Sequence, residues 1–119
     1  MFMTTNTGIK FSRGDLWVAK FSYYESPTQY KMRPVLIVSN DLMIKTDQVV
    51  ILAPVTSASP RDRYDVQVER REQSGLDRPS CIRTSKLTSL HKNFLKLKIG
   101  SLDKHDLDQV LLMCRAIFE

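Results

Sequence analysis

The sequence predicts a mainly β fold, a small and strongly bent antiparallel sheet or barrel with one C-terminal α-helix, and three observations carry that reading. Short apolar runs rich in β-branched residues, Val35-Leu36-Ile37-Val38 and Gln48 to Ser57, are bounded by turn residues as buried strands are. Tyr64 to Glu69 alternates, with Tyr64, Val66 and Val68 on one face and Asp65, Gln67 and Glu69 on the other, the pattern of a strand with one wet face. Helical spacing is clear only at the end, where Leu107, Val110, Leu111, Cys114, Ile117 and Phe118 form a single apolar stripe. Many short strands before one terminal helix indicate that architecture.

Taken in order, residues 1–12 are polar and aperiodic and read as a flexible tail, which leaves residues 13–119 as a single domain. Arg13-Gly14-Asp15 is turn chemistry, and Leu16 to Phe21 is a first strand. Tyr23 to Met32 has no apolar period and reads as a loop of about ten residues, a length often associated with function. Pro34 opens the run Val35 to Val38, which Ser39-Asn40-Asp41 closes. In the next run Pro54 has no N–H to give to a ladder, so that strand should bulge or end near it. Gly75 to Pro79 turns the chain into a short strand, Ser80 to Thr84. Leu87, Leu90, Phe94, Leu97 and Ile99 follow neither period well, and a short helical turn followed by a strand is expected. Asp103 then caps the last helix, Asp106 suits its positive end, and Leu102 with Leu107 stand at hydrophobic-staple positions.

Composition bounds what such a domain does. The chain has 119 residues with 42% hydrophobic content, enough for one packed core. Its 18 Lys+Arg against 13 Asp+Glu give a formal charge of +5, which suits a polyanionic partner such as nucleic acid or a membrane surface. Cys81 and Cys114 match no disulfide framework and no metal spacing, and both sit in apolar stretches as small hydrophobes. No apolar run approaches the ~18 residues of a membrane helix, and Met1 to Lys10 has no signal-peptide character. The reading is cytoplasmic, in a reducing compartment.

Familiar catalytic constellations are absent. The chain has no HExxH, CxxC, phosphate-binding glycine loop or GxSxG elbow. His91 lies in a Lys-rich turn and His105 off the apolar stripe of the last helix, ordinary surface positions that leave a two-histidine ribonuclease as a minor alternative. What remains is a set of polar residues at strand ends: Arg33 before the first buried run, and Thr56 and Ser57 where the next one closes. If those strands are neighbours, a guanidinium suited to phosphate and two hydroxyls converge at a mouth walled by the long loop. By pattern alone Arg33 is equally a surface residue leading into a strand.

At these residues the sequence resembles the MazF/PemK family of toxin endoribonucleases. The resemblance runs through Gly14-Asp15-Leu16-Trp17-Val18, Met32-Arg33-Pro34-Val35-Leu36-Ile37-Val38-Ser39, Leu52-Ala53-Pro54-Val55-Thr56-Ser57, Ser80-Cys81-Ile82-Arg83-Thr84-Ser85-Lys86-Leu87 and Lys98-Ile99-Gly100-Ser101-Leu102. Five blocks in family order cover residues 13–118. The resemblance implies an SH3-like barrel of the CcdB/PemK kind, a homodimer, single-stranded RNA (mRNA) as substrate, and a cognate antitoxin whose acidic tail occupies the RNA groove. It also implies a metal-independent cut, with no cofactor, that leaves a 2′,3′-cyclic phosphate and a 5′-hydroxyl.

Carried over position by position, the resemblance makes Arg33, Thr56 and Arg83 the catalytic candidates. Gln29, Lys31, Ser57, Arg61, Ser85 and Lys86 become candidate RNA contacts, with Arg63 as a further one. A solvated basic face is the alternative for Arg61 and Arg63. Tyr23, Tyr24 and Tyr30 either stack on unpaired bases or pack the loop. Two departures stand out. The family's Arg-x-Asp-Lys reads Arg83-Thr84-Ser85-Lys86 here, and its Gly-Ser-Glu-Gln reads Ser26-Pro27-Thr28-Gln29, so both acids that relatives bring near the scissile phosphate are missing. Two alternatives from another class are a non-catalytic toxin on the same barrel, like the gyrase poison CcdB, and a decayed RNA-binding module. The first depends on an exposed Trp-Gly-Ile end, whereas this chain ends Ala116-Ile117-Phe118-Glu119.

Overall fold

The computed structural model describes residues 9–21, 31–69 and 71–119. Among these residues seven strands form one antiparallel sheet: β1 (Asp15–Phe21), β2 (Lys31–Ile37), β3 (Val49–Thr56), β4 (Asp65–Gln67), β5 (Cys81–Arg83), β6 (Thr88–His91) and β7 (Leu95–Ser101). Two helices accompany them, α1 (Asp41–Thr46) and α2 (Lys104–Ala116). The strand order is β4-β5-β3-β2-β1-β7, with β6 also paired to β3. The mainly β architecture with a terminal helix agrees with the sequence expectation.

Alternation along the strands gives the sheet two apolar faces. Leu16, Leu36, Ala53, Val55 and Ile82 point to one side and pack with Leu102 and Val110, the residues that lead into and line α2. Trp17, Ala19, Val35, Ile37, Val50 and Leu52 point to the other and pack with Ile44 of α1 and Leu95. This is the period-2 rule of a pleated strand, applied to a sheet covered on both sides.

The ladder between β2 and β3 covers only Val35–Ile37 against Leu52–Pro54. Two prolines mark where it stops. Pro34 was expected to open its strand, yet it lies inside β2, opposite Val18 of β1. It is tolerated because β2 has no β3 partner at that point. Likewise β3 runs past Pro54 to Thr56, but it changes partner there: Val49–Leu52 pair with β6, and Val55 and Thr56 pair with β5. A residue without an N–H sits in the gap between two ladders.

At the far end the sheet curls on itself. Segment 71–76, which follows β4, docks on β7: Ser101 N–H donates to the Gln73 carbonyl at 3.0 Å. The approach is so close that a Cβ on Gly100 would stand 2.3 Å from the Ser74 oxygen, and one on Gly75 (φ +78°) 2.0 Å from the Ile99 oxygen. Only glycine fits at either position.

Helix α2 starts as its sequence requires. The Asp103 carboxylate accepts from Asp106 N–H at 2.9 Å, and Leu102 is buried with Leu107 packed on the same cluster. Asp106 itself is buried, where it accepts from Glu69 N–H at 3.1 Å. No helix among the described residues is long and apolar enough to cross a membrane.

Three local expectations are corrected. Asp65 was assigned to a wet face but is buried, because β4 is only three residues long and its carboxylate is drawn in by Arg61, which donates from its backbone at 3.0 Å and from Nε at 3.3 Å. The stretch after Ser39 holds α1, capped by Asn40, whose side chain accepts from Met43 N–H at 2.8 Å. Finally, the span 86–99 holds more than a turn and a strand. 3₁₀ turns at Thr84–Lys86 and Lys92–Phe94 flank β6, and β7 begins at Leu95.

Candidate functional site

The face that carries Val35, Ile37, Val50 and Leu52 continues beyond the last β2–β3 pair, and there its residues turn polar. Continuing the Val35↔Pro54 register by two residues sets Arg33 opposite Thr56. Past Val35 and Pro54 the strands are no longer paired, and a cleft of about 290 Å³ opens. Arg33 and Pro34 form one wall, and Val55, Thr56 and Ser57 another. Leu76, Asp77, Arg78 and Ser80 close the third side.

That third wall is held by its own hydrogen bonds. Ser74 is fully buried and its hydroxyl donates to the Arg71 carbonyl at 2.9 Å while accepting from Leu76 N–H at 3.1 Å. The Ser80 hydroxyl donates to the Arg78 carbonyl at 2.9 Å. With Gly75 locked against β7, the backbone around Asp77 and Arg78 is pinned on both sides. Their side chains form an exposed ion pair, Arg78 Nε to Asp77 Oδ1 at 3.5 Å. On the β3 side, the Thr56 Oγ1 accepts from Ala58 N–H at 3.1 Å, an ST turn that fixes where the strand ends.

The same face extends onto β5 and β4. Thr56 pairs with Cys81, and Arg83 pairs with Asp65. Arg83 is half-buried, and its Nε has no hydrogen-bond partner among the described residues; the same holds for Asp65 Oδ1. Asp65 Oδ2 instead meets Arg61 Nε at 3.3 Å. Burial pushes the Cys81 thiol up, the Asp65 carboxylate adds to the rise, and Arg83 opposes it. Cys81 is therefore a protonated core thiol under ordinary conditions.

Of the sequence-derived candidates, Arg33, Thr56 and Ser57 meet in the cleft. Arg83 lies on their face one strand further on and outside the cleft lining. Lys31 is exposed two residues before Arg33, at the start of β2. Arg61 is engaged with Asp65, and Arg63 stacks over the Tyr64 ring at 5.0 Å. Ser85 and Lys86 are exposed in the 3₁₀ turn after β5. Gln29 and the loop tyrosines Tyr23, Tyr24 and Tyr30 lie outside the described residues. Sequence reasoning missed the Leu76–Ser80 wall, since Gly75 to Pro79 reads simply as a turn. The available signal was the charged pair Asp77-Arg78 within the turn, two residues after Gly75.

Comparison with known proteins identifies the family of the chain. Residues 12–118 match the family described as PemK-like, MazF-like toxin of type II toxin-antitoxin system. The chain is 31% identical over 99 residues to an endoribonuclease MazF of Staphylococcus saprophyticus, covering 82% of each chain. It is 30% identical over 99 residues, with the same coverage of both chains, to one from Staphylococcus epidermidis. Among solved structures, a mycobacterial endoribonuclease in complex with its cognate antitoxin superposes with a TM-score of 0.77 at 16% identity, covering 92% of this chain and 95% of that one. A MazE–MazF complex from Deinococcus radiodurans gives 0.73 at 17%, covering 90% and 94%.

Proposed function

The chain belongs to the PemK-like, MazF-like toxin family of type II toxin–antitoxin systems, and from that premise we propose that it is an endoribonuclease toxin that cuts single-stranded RNA without a metal. The observation that supports the chemistry is the single cleft shared by Arg33 with Thr56 and Ser57. RNA carries its own nucleophile, the 2′-hydroxyl, so the protein has only to align it with the phosphorus and stabilise the charge that develops. Arg33 binds the phosphate oxygens in the transition state and, through a water, protonates the departing 5′-oxygen. Thr56 orients the 2′-hydroxyl, and Ser57 holds a phosphate oxygen beside it. Arg83, half-buried on the same face, adds positive charge from the next strand. A preorganised donor of this kind lowers the barrier by about 3 kcal/mol. The products are a 2′,3′-cyclic phosphate and a 5′-hydroxyl.

Lys31, Arg61 and Lys86 hold the RNA backbone on either side, with Ser85 and Gln29 as further contacts. A net charge of +5 suits both that substrate and an antitoxin with an acidic tail. The toxin is a homodimer, a reading supported by apolar side chains left exposed at Leu97, Leu112 and Phe118. An enzyme whose substrate is mRNA works in the cytoplasm.

The test is cleavage of a defined single-stranded RNA by purified protein in EDTA. Wild type is expected to cut and leave cyclic phosphate ends, and Arg33→Ala to lose at least about a hundredfold in rate. Equal cutting by the two proteins sinks the assignment of the site.

A further inference from the structure

Attack by a 2′-hydroxyl needs a group that accepts its proton. We infer that in this chain the group is Asp77, brought to the cleft by the 76–80 wall; this rests on the endoribonuclease reading of the same cleft. The residues facing one another there are mostly unable to serve. Arg33 and Arg78 are guanidinium ions with no acceptor, and Thr56, Ser57 and Ser80 are hydroxyls as weakly basic as the nucleophile itself. Asp77 is the one carboxylate among the described residues that line the cleft. The other candidate bases among the described residues stand outside the cleft lining. His91 ends β6, His105 is on α2, and Asp65 is buried with one oxygen on Arg61.

Asp77 combines a fixed backbone with a reachable side chain. Its neighbours are pinned by the Ser74 and Ser80 hydroxyls and by Gly75 against β7. Its side chain is 86% exposed, and its pair with Arg78, itself 67% exposed, is long at 3.5 Å. Such a pair holds weakly, so Arg78 exchanges the carboxylate for a phosphate oxygen when RNA enters. Arg33 and Arg78, the two cations among the described residues that line the cleft, offset the repulsion between the carboxylate and the phosphate.

The step balances without a co-reactant. The 2′-O–H bond breaks and its proton passes to Asp77. The 2′-oxygen forms a bond to phosphorus, and the phosphorus–5′-oxygen bond breaks. The 5′-oxygen takes a proton from the water on Arg33, and Asp77 returns its proton to solvent.

Asp77→Asn tests this against Asp108→Asn, an exposed change of equal charge on α2, with single-turnover cleavage and RNA affinity measured for each. Asp77→Asn is expected to cut about a hundredfold more slowly with RNA affinity unchanged or tighter, and Asp108→Asn to cut like wild type. The pH profiles of wild type and Asp77→Asn are expected to differ. In Asp77→Asn hydroxide takes over, and the rate climbs about tenfold per pH unit. A wild-type rate and pH profile in Asp77→Asn, while Arg33→Ala is inactive, overturns the role of Asp77 and leaves the nuclease reading standing. So does a loss matched by weaker RNA binding with no change of profile. A wild-type protein that cuts no RNA fails the nuclease reading itself.

Discussion

At the scale of single residues, the proposed site is made of polar groups that continue an apolar pattern. Arg33 and Thr56 occupy the positions that Val35 and Pro54 occupy one step earlier on the same face, so their place follows from strand alternation. Thr56→Val keeps the branched shape and removes the hydroxyl. It is expected to slow cleavage about a hundredfold with little change in melting temperature, and a coupled fall of both would make Thr56 structural. The thiols give a second expectation. Burial raises both Cys81 and Cys114 above the ordinary thiol value of 9.0, so each folded pKa lies above its unfolded one. The stability that comes from keeping them protonated is fully present below the unfolded value and is lost as pH rises through the folded one. Urea unfolding midpoints should therefore fall above about pH 9, and less so in Cys81→Ala. Arg33, Thr56 and Ser57 were legible in the sequence because they border apolar runs, although Arg33 lies within β2 rather than at its end. Asp77 was not, because nothing local to Gly75–Pro79 says which strands the turn will face.

Among elements, the curl of the sheet depends on two glycines, and a buried aspartate ties α2 to the chain after β4. Gly100→Ala would drive a Cβ to 2.3 Å from the Ser74 oxygen, and the wall that carries Asp77 would have to move off β7. A loss of about 1–3 kcal/mol is expected, together with slower RNA cleavage, since the same shift displaces the third side of the cleft. Normal activity in a destabilised Gly100→Ala would show that the wall is not part of the site. Asp106→Ala removes the acceptor of Glu69 N–H from a buried position and should cost about 1–3 kcal/mol by thermal unfolding. Helix α2 was readable from its cap, staple and stripe, all of which act within one element. Helix α1 was not: six residues carry too short a period, and the Asn40 cap is its one local mark. Asp65 was misread because alternation assigns a face, while a carboxylate that gains partners from Arg61 can be buried on either.

For the whole molecule, charge and exposed apolar surface set the partners. If Arg33, Arg78 and Arg83 at the cleft and Lys31, Arg61 and Lys86 beside it each meet a phosphate, log affinity for single-stranded RNA should fall with log salt at a slope of about −4. A salt-insensitive affinity would count against the groove. Leu97, Leu112 and Phe118 are 61%, 50% and 80% exposed, and light scattering is expected to return twice the 13.7 kDa chain mass, with Phe118→Glu shifting it toward the monomer.

The sequence by itself determined the class of the fold, the terminal helix and the family, because period, capping and ordered motif blocks are properties of neighbouring residues. It also supplied Arg33, Thr56 and Ser57, each marked by the strand it ends or enters. Tertiary structure decided what those residues face. The prolines stop the β2–β3 ladder at Val35 and Pro54, the glycines let segment 71–76 close against β7, and a carboxylate from a distant turn comes to the cleft. Those meetings depend on long-range closure of a bent sheet, and no spacing along the chain encodes them.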